Sequence, residues 1–123
     1  YPVYGRLEPS SVSRTPSGYV ITPVKFHVKF FAPEGTHPPS PYGEEFYQVY
    51  VDIDGWESRG AQPLADGNFH DLEIALSGYW RCTKAGHYEV WINCGQYWYV
   101  DVQAVNGIAW WKDKPTGIWL EVI

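Results

Sequence analysis

Tryptophan and tyrosine are the residues of this sequence whose chemistry stands out first. The 123 residues include seven Trp and ten Tyr, and aromatic side chains make up 18% of the chain. A small β domain cannot bury so many rings, and large apolar patches on a surface usually mark a contact site. Rings mixed with amide and carboxylate groups suit sugars, which have apolar C–H faces and polar edges. They suit a protein interface equally well.

The stretch 85–105 organises these residues, because apolar side chains recur there at every second position. This is the period of a half-buried strand, and it occurs twice, from Tyr88 to Cys94 and from Trp98 to Ala104. We predict a hairpin whose loop is 95–97, because a loop of two residues would put the two apolar sets on opposite faces. The buried side would then consist of Val90, Ile92, Val100, Val102 and Trp98.

The segment Gly86-His87-Tyr88-Glu89-Val90 resembles the corner before strand F of immunoglobulin-like domains. In that corner a Tyr stands two residues before a core position, and its hydroxyl bonds to the backbone upstream. Val90 occupies the position that is Cys in antibody domains. Many extracellular bacterial modules have a similar Gly-x-Tyr-x-Val pattern. The resemblance implies an immunoglobulin-like fold and nothing specific about function.

The positions between the buried ones form the predicted binding face. In an immunoglobulin-like sheet, the strand from Tyr47 to Ile53 lies beside the hairpin, so its polar positions join the same face. The first group of candidate site residues is therefore Trp91, Asn93, Tyr99, Asp101, Tyr50, Gln48 and Asp52. A second aromatic group near the C-terminus consists of Trp110, Trp111 and Trp119.

The rest of the chain predicts more strands and no helix. No segment has a helical repeat of ten or more residues, whereas short alternating runs recur between turn signals. We therefore predict an all-β fold, an antiparallel immunoglobulin-like sandwich of seven to nine short strands. The further strands are Tyr19–Ile21, Val24–Phe30, Tyr47–Ile53, Leu72–Leu76, Ile108–Trp111 and Ile118–Val122, with turns at Asp54-Gly55, Asn106-Gly107 and 112–117.

Residues 1–17 are rich in Pro, Ser and Gly, and we predict an extended N-terminal arm followed by a single domain over 18–123. We expect the arm to pack on its own domain or on a neighbouring subunit. Because the sequence starts without Met, we expect a mature secreted protein, with a cloned fragment as the alternative. The apolar residues available for packing of the arm are Tyr1, Val3, Tyr4 and Leu7.

Cys82 and Cys94 fit a disulfide formed in an oxidising compartment. Cys94 stands at the far end of its strand, ~20 Å beyond Tyr88 at ~3.3 Å per residue. Tyr79 to Cys82 would therefore have to run back alongside that strand. Otherwise the two cysteines are buried thiols, or they cross-link neighbouring subunits.

Several function classes lack support in the sequence. The net charge of −5, without a run of Lys or Arg, argues against nucleic acid as a partner, and no apolar run approaches the ~20 residues of a membrane helix. Asp52-Ile53-Asp54-Gly55 lacks the further donors of a calcium loop and fits a hairpin turn better. We predict no catalytic residue, no metal and no cofactor. The four histidines, which have no metal-binding spacing, are His27, His37, His70 and His87.

Two hypotheses remain, both for a non-catalytic extracellular protein. The first is a structural or adhesive subunit that assembles with copies of itself into a filament or surface layer, by strand exchange through the arm and by aromatic interfaces. The alternative is a carbohydrate-binding module of a secreted enzyme, which uses the Trp and Tyr face. The predicted partner is accordingly another copy of the chain or a glycan.

Overall fold

The computed structural model describes residues 4–35, 45–99, 105–110 and 114–123. Within these residues the protein is all-β and contains no helix. The strands are β1 (Tyr4–Glu8), β2 (Ser11–Val12), β3 (Tyr19–Val20), β4 (Val24–Ala32), β5 (Phe46–Ile53), β6 (Trp56–Glu57), β7 (Asn68–Leu76), β8 (Trp80–Arg81), β9 (Gly86–Tyr99), β10 (Val105–Trp110) and β11 (Lys114–Val122).

The strands form two larger sheets and one short ribbon. The first sheet has the order β1-β4-β7, and the second has the order β2-β11-β9-β5-β6. Strand β10 also belongs to the second sheet and pairs with β9, while β3 and β8 form the ribbon. All pairs are antiparallel except β2 with β11, which run parallel.

Both larger sheets contribute to a single hydrophobic core. In β4 and β5 alternate residues are buried, as their sequence periods predict. Phe26 and Ile74 face the core from the first sheet, and Val51 and Ile92 face it from the second. The remaining positions of these strands point outward, so each sheet offers one outer face.

The N-terminal segment lies within both sheets. Strand β1 pairs with β4, from Tyr4 opposite Lys29 to Glu8 opposite Lys25, and Leu7 is buried in the core. After a cis peptide bond before Pro9, β2 pairs with β11. The segment predicted to be an arm thus supplies two strands of its own domain. Tyr1 and Val3 lie outside the described residues.

The predicted hairpin loop at 95–97 is wrong. Strand β9 continues through these residues to Tyr99, because its backbone pairs with β5 on one side and with β10 on the other. Gly95, for example, lies between Gln48 and Trp110. The second predicted strand, 98–104, therefore does not begin at Trp98, because Trp98 and Tyr99 still belong to β9. Residues 100–104, with Val100 and Val102, lie outside the described residues.

Two further predicted turns near the C-terminus are wrong in part. Asn106-Gly107 lies inside β10, where the register shifts between Val105 and Gly107. Residues 114–117 belong to β11. In both places an irregular strand replaces a turn, because turn-forming residues also suit β-bulges.

The predicted turn at Asp54-Gly55 is confirmed. Asp54 has φ 48° and Gly55 has φ 89°, the pair of positive values that defines the type I′ hairpin turn. Ile53 pairs with Trp56 across it, and the Asp52 carboxylate accepts a hydrogen bond of 3.0 Å from the Gly55 N–H.

The predicted disulfide is wrong, because Cys82 and Cys94 form no disulfide with each other and both are buried. The chain just before Cys82 forms β8, which pairs with β3 and so does not return alongside β9. The Cys82 Sγ donates to the Lys84 carbonyl oxygen at 3.4 Å, whereas Cys94 lies opposite Val49 in the second sheet. Within the chain, the burial of both side chains agrees with the alternative of buried thiols.

A candidate binding face on the second sheet

The register between β5 and β9 brings candidate residues of both strands onto one face. Tyr50 lies opposite Asn93, and Asp52 lies opposite Trp91. Gln48, in turn, lies opposite Gly95. All of these positions alternate with buried core residues, so they occupy the outer side of the sheet. Strand β5 lies directly beside β9, as the sequence predicted.

Strand β11 adds a second exposed indole to this face. Trp119 pairs with Glu89, two residues along β9 from the Pro115–Trp91 pair. The exposed fraction is 50% for Trp119 and 38% for Trp91, although Trp is among the residues that are buried most on average. We call the outer surface formed by Gln48, Tyr50, Asp52, Glu89, Trp91, Asn93 and Trp119 the Trp91 face.

A bulge in β11 fixes the distance along the strand between these pairs. Residues 116–118 together stand opposite Val90. The Thr116 hydroxyl donates to the Val90 carbonyl at 2.7 Å, and the Gly117 N–H donates to the Glu89 carboxylate at 3.0 Å. Gly117 has φ 74°, a conformation that glycine adopts without strain. The bulge therefore orients Glu89 and sets where Trp119 lies.

An open depression adjoins one end of the Trp91 face. Its volume is about 460 Å³, and carboxylates dominate its lining. Three acidic residues, one histidine and one indole contribute, and the hairpin turn after β5 closes one side. The lining residues are Asp52, Asp54, Gly55, His87, Tyr88, Glu89 and Trp91. Such a surface offers hydrogen-bond acceptors beside a ring face.

Asn93 contributes one unusual polar atom to this face. Its Oδ1 is buried and has no hydrogen-bond partner among the described residues. Buried amide oxygens in folded proteins almost always have a partner, so water or another group outside the described residues would complete this one.

Four of the ten candidate binding residues lie at the ends of strands or outside the described residues. Tyr99 is the last residue of β9 and pairs with Val105, and Trp110 pairs with Gly95 at the end of β10. Asp101 and Trp111 lie outside the described residues.

Two other tryptophans are structural. Trp56 and Trp80 are buried and stack in parallel, with ring centroids 5.3 Å apart. Each indole N–H has a backbone acceptor, the carbonyl oxygen of Ser77 for Trp56 and that of Asp54 for Trp80. The edge of the Tyr88 ring packs on Trp80 at 5.2 Å. Both indole N–H groups in this cluster have acceptors, so Trp56 and Trp80 are accounted for as core residues. Trp91 and Trp119 are exposed and have no such structural role.

Tyr88 makes the hydrogen bond that its sequence context predicts. Its hydroxyl donates to the carbonyl oxygen of Lys84, four residues upstream. The pKa of Tyr88 is raised, chiefly by a hydrogen bond with Cys82 and secondly by burial. This corner holds the start of β9 against the Trp56–Trp80 pair.

The outer face of the first sheet has a different character. Lys25 forms an ion pair of 2.8 Å with Glu73, and Glu8 contacts Arg6 at 3.0 Å and His27 at 2.9 Å. Hydrogen bonds to Arg6 and then His27 lower the pKa of Glu8, and the hydrogen bond to Lys25 lowers that of Glu73. Pairs of this kind are typical of a solvated surface.

Two exposed aromatic groups outside the Trp91 face were not predicted. Phe31 and Phe69 contact each other at the end of the first sheet, with the Lys29 ammonium 5.5 Å from the Phe69 ring. At the ribbon, the Tyr19 and Tyr79 rings meet edge to face at 6.4 Å. Tyr79 lies between strands, where no periodic pattern marks a side chain as exposed.

The three histidines in the described residues each stand near a carboxylate. His27 contacts Glu8 in the first sheet, while His87 lies 3.6 Å from Glu121 in the second. His70 bonds to Asp66 at 2.8 Å, and this hydrogen bond lowers the pKa of Asp66. Among the described residues no three His, Cys, Asp or Glu side chains are grouped to hold a metal ion.

Glu45 departs from its expected environment. A carboxylate beside the start of a strand is usually solvated, but Glu45, directly before β5, is only 8% exposed. It lies next to Tyr47, whose pKa is raised by burial and further by the Glu45 and Cys94 charges. The Tyr47 hydroxyl donates to the Pro33 carbonyl at 3.0 Å.

In the part of the chain that the structure describes, no helix has the length and apolar character needed to cross a membrane. No protein-family model, no characterised protein and no solved structure proved significantly similar to this sequence or its fold.

Proposed function

We propose that this chain is a non-catalytic binding module whose Trp91 face holds a carbohydrate. The observation that carries this proposal is the exposure of two indoles, Trp91 and Trp119, on the same outer surface of one sheet. Neither indole belongs to the hydrophobic core. Exposed indoles leave apolar area in water, and a sugar ring that stacks on them removes this area from water.

The polar neighbours of the two indoles fit the same ligand. Carboxylates at Asp52 and Glu89 flank Trp91, and Tyr50 lies beyond Asp52 on the same strand. Sugar hydroxyl groups are donors as well as acceptors, so carboxylates and a phenol beside the ring face supply the hydrogen bonds that orient a saccharide. The open surface of the sheet suits an extended chain of sugars better than a small enclosed ligand.

We further propose that the fold is an immunoglobulin-like sandwich. Strands β1, β4 and β7 follow the order of strands A, B and E in such domains, and β11, β9 and β5 follow that of G, F and C. The bond from the Tyr88 hydroxyl to the Lys84 carbonyl, at the start of β9, supports the same assignment. An extracellular location stays a prediction, and it loses the support that a disulfide between Cys82 and Cys94 would have given it.

The proposal is tested by replacing each exposed indole with alanine. Affinity electrophoresis in gels that contain hydroxyethyl cellulose, xylan or glycol chitosan measures binding by retardation. We expect Trp91→Ala and Trp119→Ala each to weaken binding of the retained polymer at least about tenfold. Thermal unfolding should stay within a few degrees of the parent, because both side chains are already exposed.

Phe69→Ala is the matched control, since Phe69 is 56% exposed but belongs to the first sheet. It should leave retardation unchanged. If the parent protein is retarded by none of the three polymers, or if Phe69→Ala weakens binding as much as Trp91→Ala, the carbohydrate proposal is abandoned.

Self-assembly is the second candidate, and one observation favours it. Strand β7 spans nine residues at the edge of the first sheet and has no further strand beside it among the described residues. A long edge can accept a strand from another chain. Deletion of residues 1–17 would be a poor test, because it removes β1, β2 and the buried Leu7. The test is the molar mass of the intact chain, measured by light scattering over a range of concentrations. Self-assembly predicts a mass above that of the monomer, and a monomer at all concentrations excludes it.

A further inference from the structure

The outward positions of the second sheet carry charge of one sign. In the described strands these positions hold the carboxylates of Asp52, Glu57, Glu89 and Glu121. His87 is also among them, whereas none of them is Lys or Arg. Lys114, at the start of β11, pairs opposite the buried Ile92, so its register position differs from that of these carboxylates, although its side chain is exposed.

The first sheet differs, because cations and carboxylates alternate across its outer face. Its outward positions hold three cationic side chains and three carboxylates, and Lys25 with Glu73 forms a direct ion pair. The full set is Arg6, Lys25 and Lys29 together with Glu8, Asp71 and Glu73. The negative character of the Trp91 face is therefore a local property and does not only reflect the net charge of −5.

The two carboxylates next to Trp91 are held in place by backbone donors. The Gly55 N–H bonds to Asp52 at 3.0 Å, and the Gly117 N–H bonds to Glu89 at 3.0 Å. Among the described residues, the second oxygen of each carboxylate has no hydrogen bond. This second oxygen can accept a hydrogen bond from a ligand. Because the backbone donor already orders the carboxylate, binding costs less side-chain entropy.

We propose that the carbohydrate bound at the Trp91 face is a cationic amino-sugar polymer, a chain of glucosamine units with free ammonium groups. The inference rests on the proposed function and adds the class of sugar. The ring stacks on Trp91 or Trp119, and the ammonium group meets Asp52 or Glu89. An ammonium beside an indole also gains a cation–π attraction. A polymer of uronic acids or sulfated sugars is excluded by like-charge repulsion.

The test compares two oligosaccharides of equal length, the hexamer of glucosamine and its fully N-acetylated counterpart, by isothermal titration calorimetry on the whole chain. We expect the glucosamine hexamer to bind more tightly, and its affinity to fall when salt is raised from 0.05 M to 0.5 M, because salt screens exposed charge pairs. The affinity for the N-acetylated hexamer should change little with salt.

Asp52→Asn combined with Glu89→Gln removes both charges and keeps an oxygen acceptor for each backbone N–H. We expect this variant to lose roughly three- to tenfold in affinity for the glucosamine hexamer and to lose less for the N-acetylated one, so that the preference for glucosamine becomes smaller. Asp71→Asn, on the other sheet, is the control and should change neither affinity.

The outcomes separate this inference from the proposed function. If the N-acetylated hexamer or a cello-oligosaccharide binds at the Trp91 face as tightly as glucosamine, the charge inference is wrong and the carbohydrate function stands. If poly-lysine binds through Trp91 and neither hexamer does, the partner is a basic protein and both are wrong. A glucosamine affinity that does not respond to salt or to the double variant also overturns the inference.

Discussion

At the scale of single residues, the four tryptophans whose side chains the structure describes fall into two environments. Trp56 and Trp80 stack on each other and donate to backbone carbonyls, so they are core residues. Trp91 and Trp119 remain exposed beside Asp52 and Glu89. The sequence alone could place Trp91 on an outer face, because alternation along β9 is clear. It could not pair Trp119 with Glu89, since the bulge at 116–118 breaks the period.

Tyr88 gives a prediction at this scale. Its hydroxyl donates to the Lys84 carbonyl, and Tyr88→Phe removes that bond while leaving the ring on Trp80. We expect a loss of about 1 kcal/mol in the free energy of unfolding, measured by urea denaturation. Saccharide binding should be unchanged. An unchanged urea midpoint would mean that the corner does not stabilise the fold.

At the scale of elements, regular strands were predictable and their irregular connections were not. Val24–Ala32 and Phe46–Ile53 match the predicted runs closely, because their buried and outward positions alternate without a break. The hairpin at 95–97 failed because Gly95 suggested a turn, whereas pairing with two neighbouring strands keeps it extended. Whether such a glycine is in a turn or in a strand depends on pairing with strands distant in the sequence, which the local pattern does not reveal.

The N-terminal strand gives a prediction for this scale. Leu7 of β1 is 7% exposed and belongs to the core, so Leu7→Ala should lower the free energy of unfolding by about 2–3 kcal/mol. Ile21→Ala is the control, because Ile21 is 52% exposed and its truncation should change stability by less than about 0.5 kcal/mol. Equal effects in urea denaturation would show that β1 does not contribute to the domain.

At the scale of the whole molecule, the two outer faces of the sheets have different chemistry. The first sheet balances its charges in ion pairs, while the second concentrates carboxylates and exposed indoles. Composition indicated surplus aromatic surface and a net negative charge, but only the fold assigns both to the same side. The partition follows from strand order, which joins β5, β9 and β11 in one sheet.

The ion pairs lead to a prediction about acid stability. Hydrogen bonds from His70 and from Lys25 lower the folded-state pKa values of Asp66 and Glu73 below their ordinary 3.8 and 4.5. Their stabilising contribution is therefore complete above these ordinary values and is lost as pH falls through the lower folded-state values. The variant Asp66→Asn/Glu73→Gln should lose less stability than the parent between about pH 5 and about pH 3, as urea midpoints measure. An identical loss in both proteins would contradict this assignment.

The most direct test of carbohydrate binding at the Trp91 face is an NMR titration that follows the assigned indole N–H signals. As the glucosamine hexamer is added, the signals of Trp91 and Trp119 should shift progressively and saturate. Those of Trp56 and Trp80, which lie buried and bonded to backbone carbonyls, should stay in place. Saturable binding that leaves the Trp91 and Trp119 signals unmoved would contradict the assignment of this face as the binding surface.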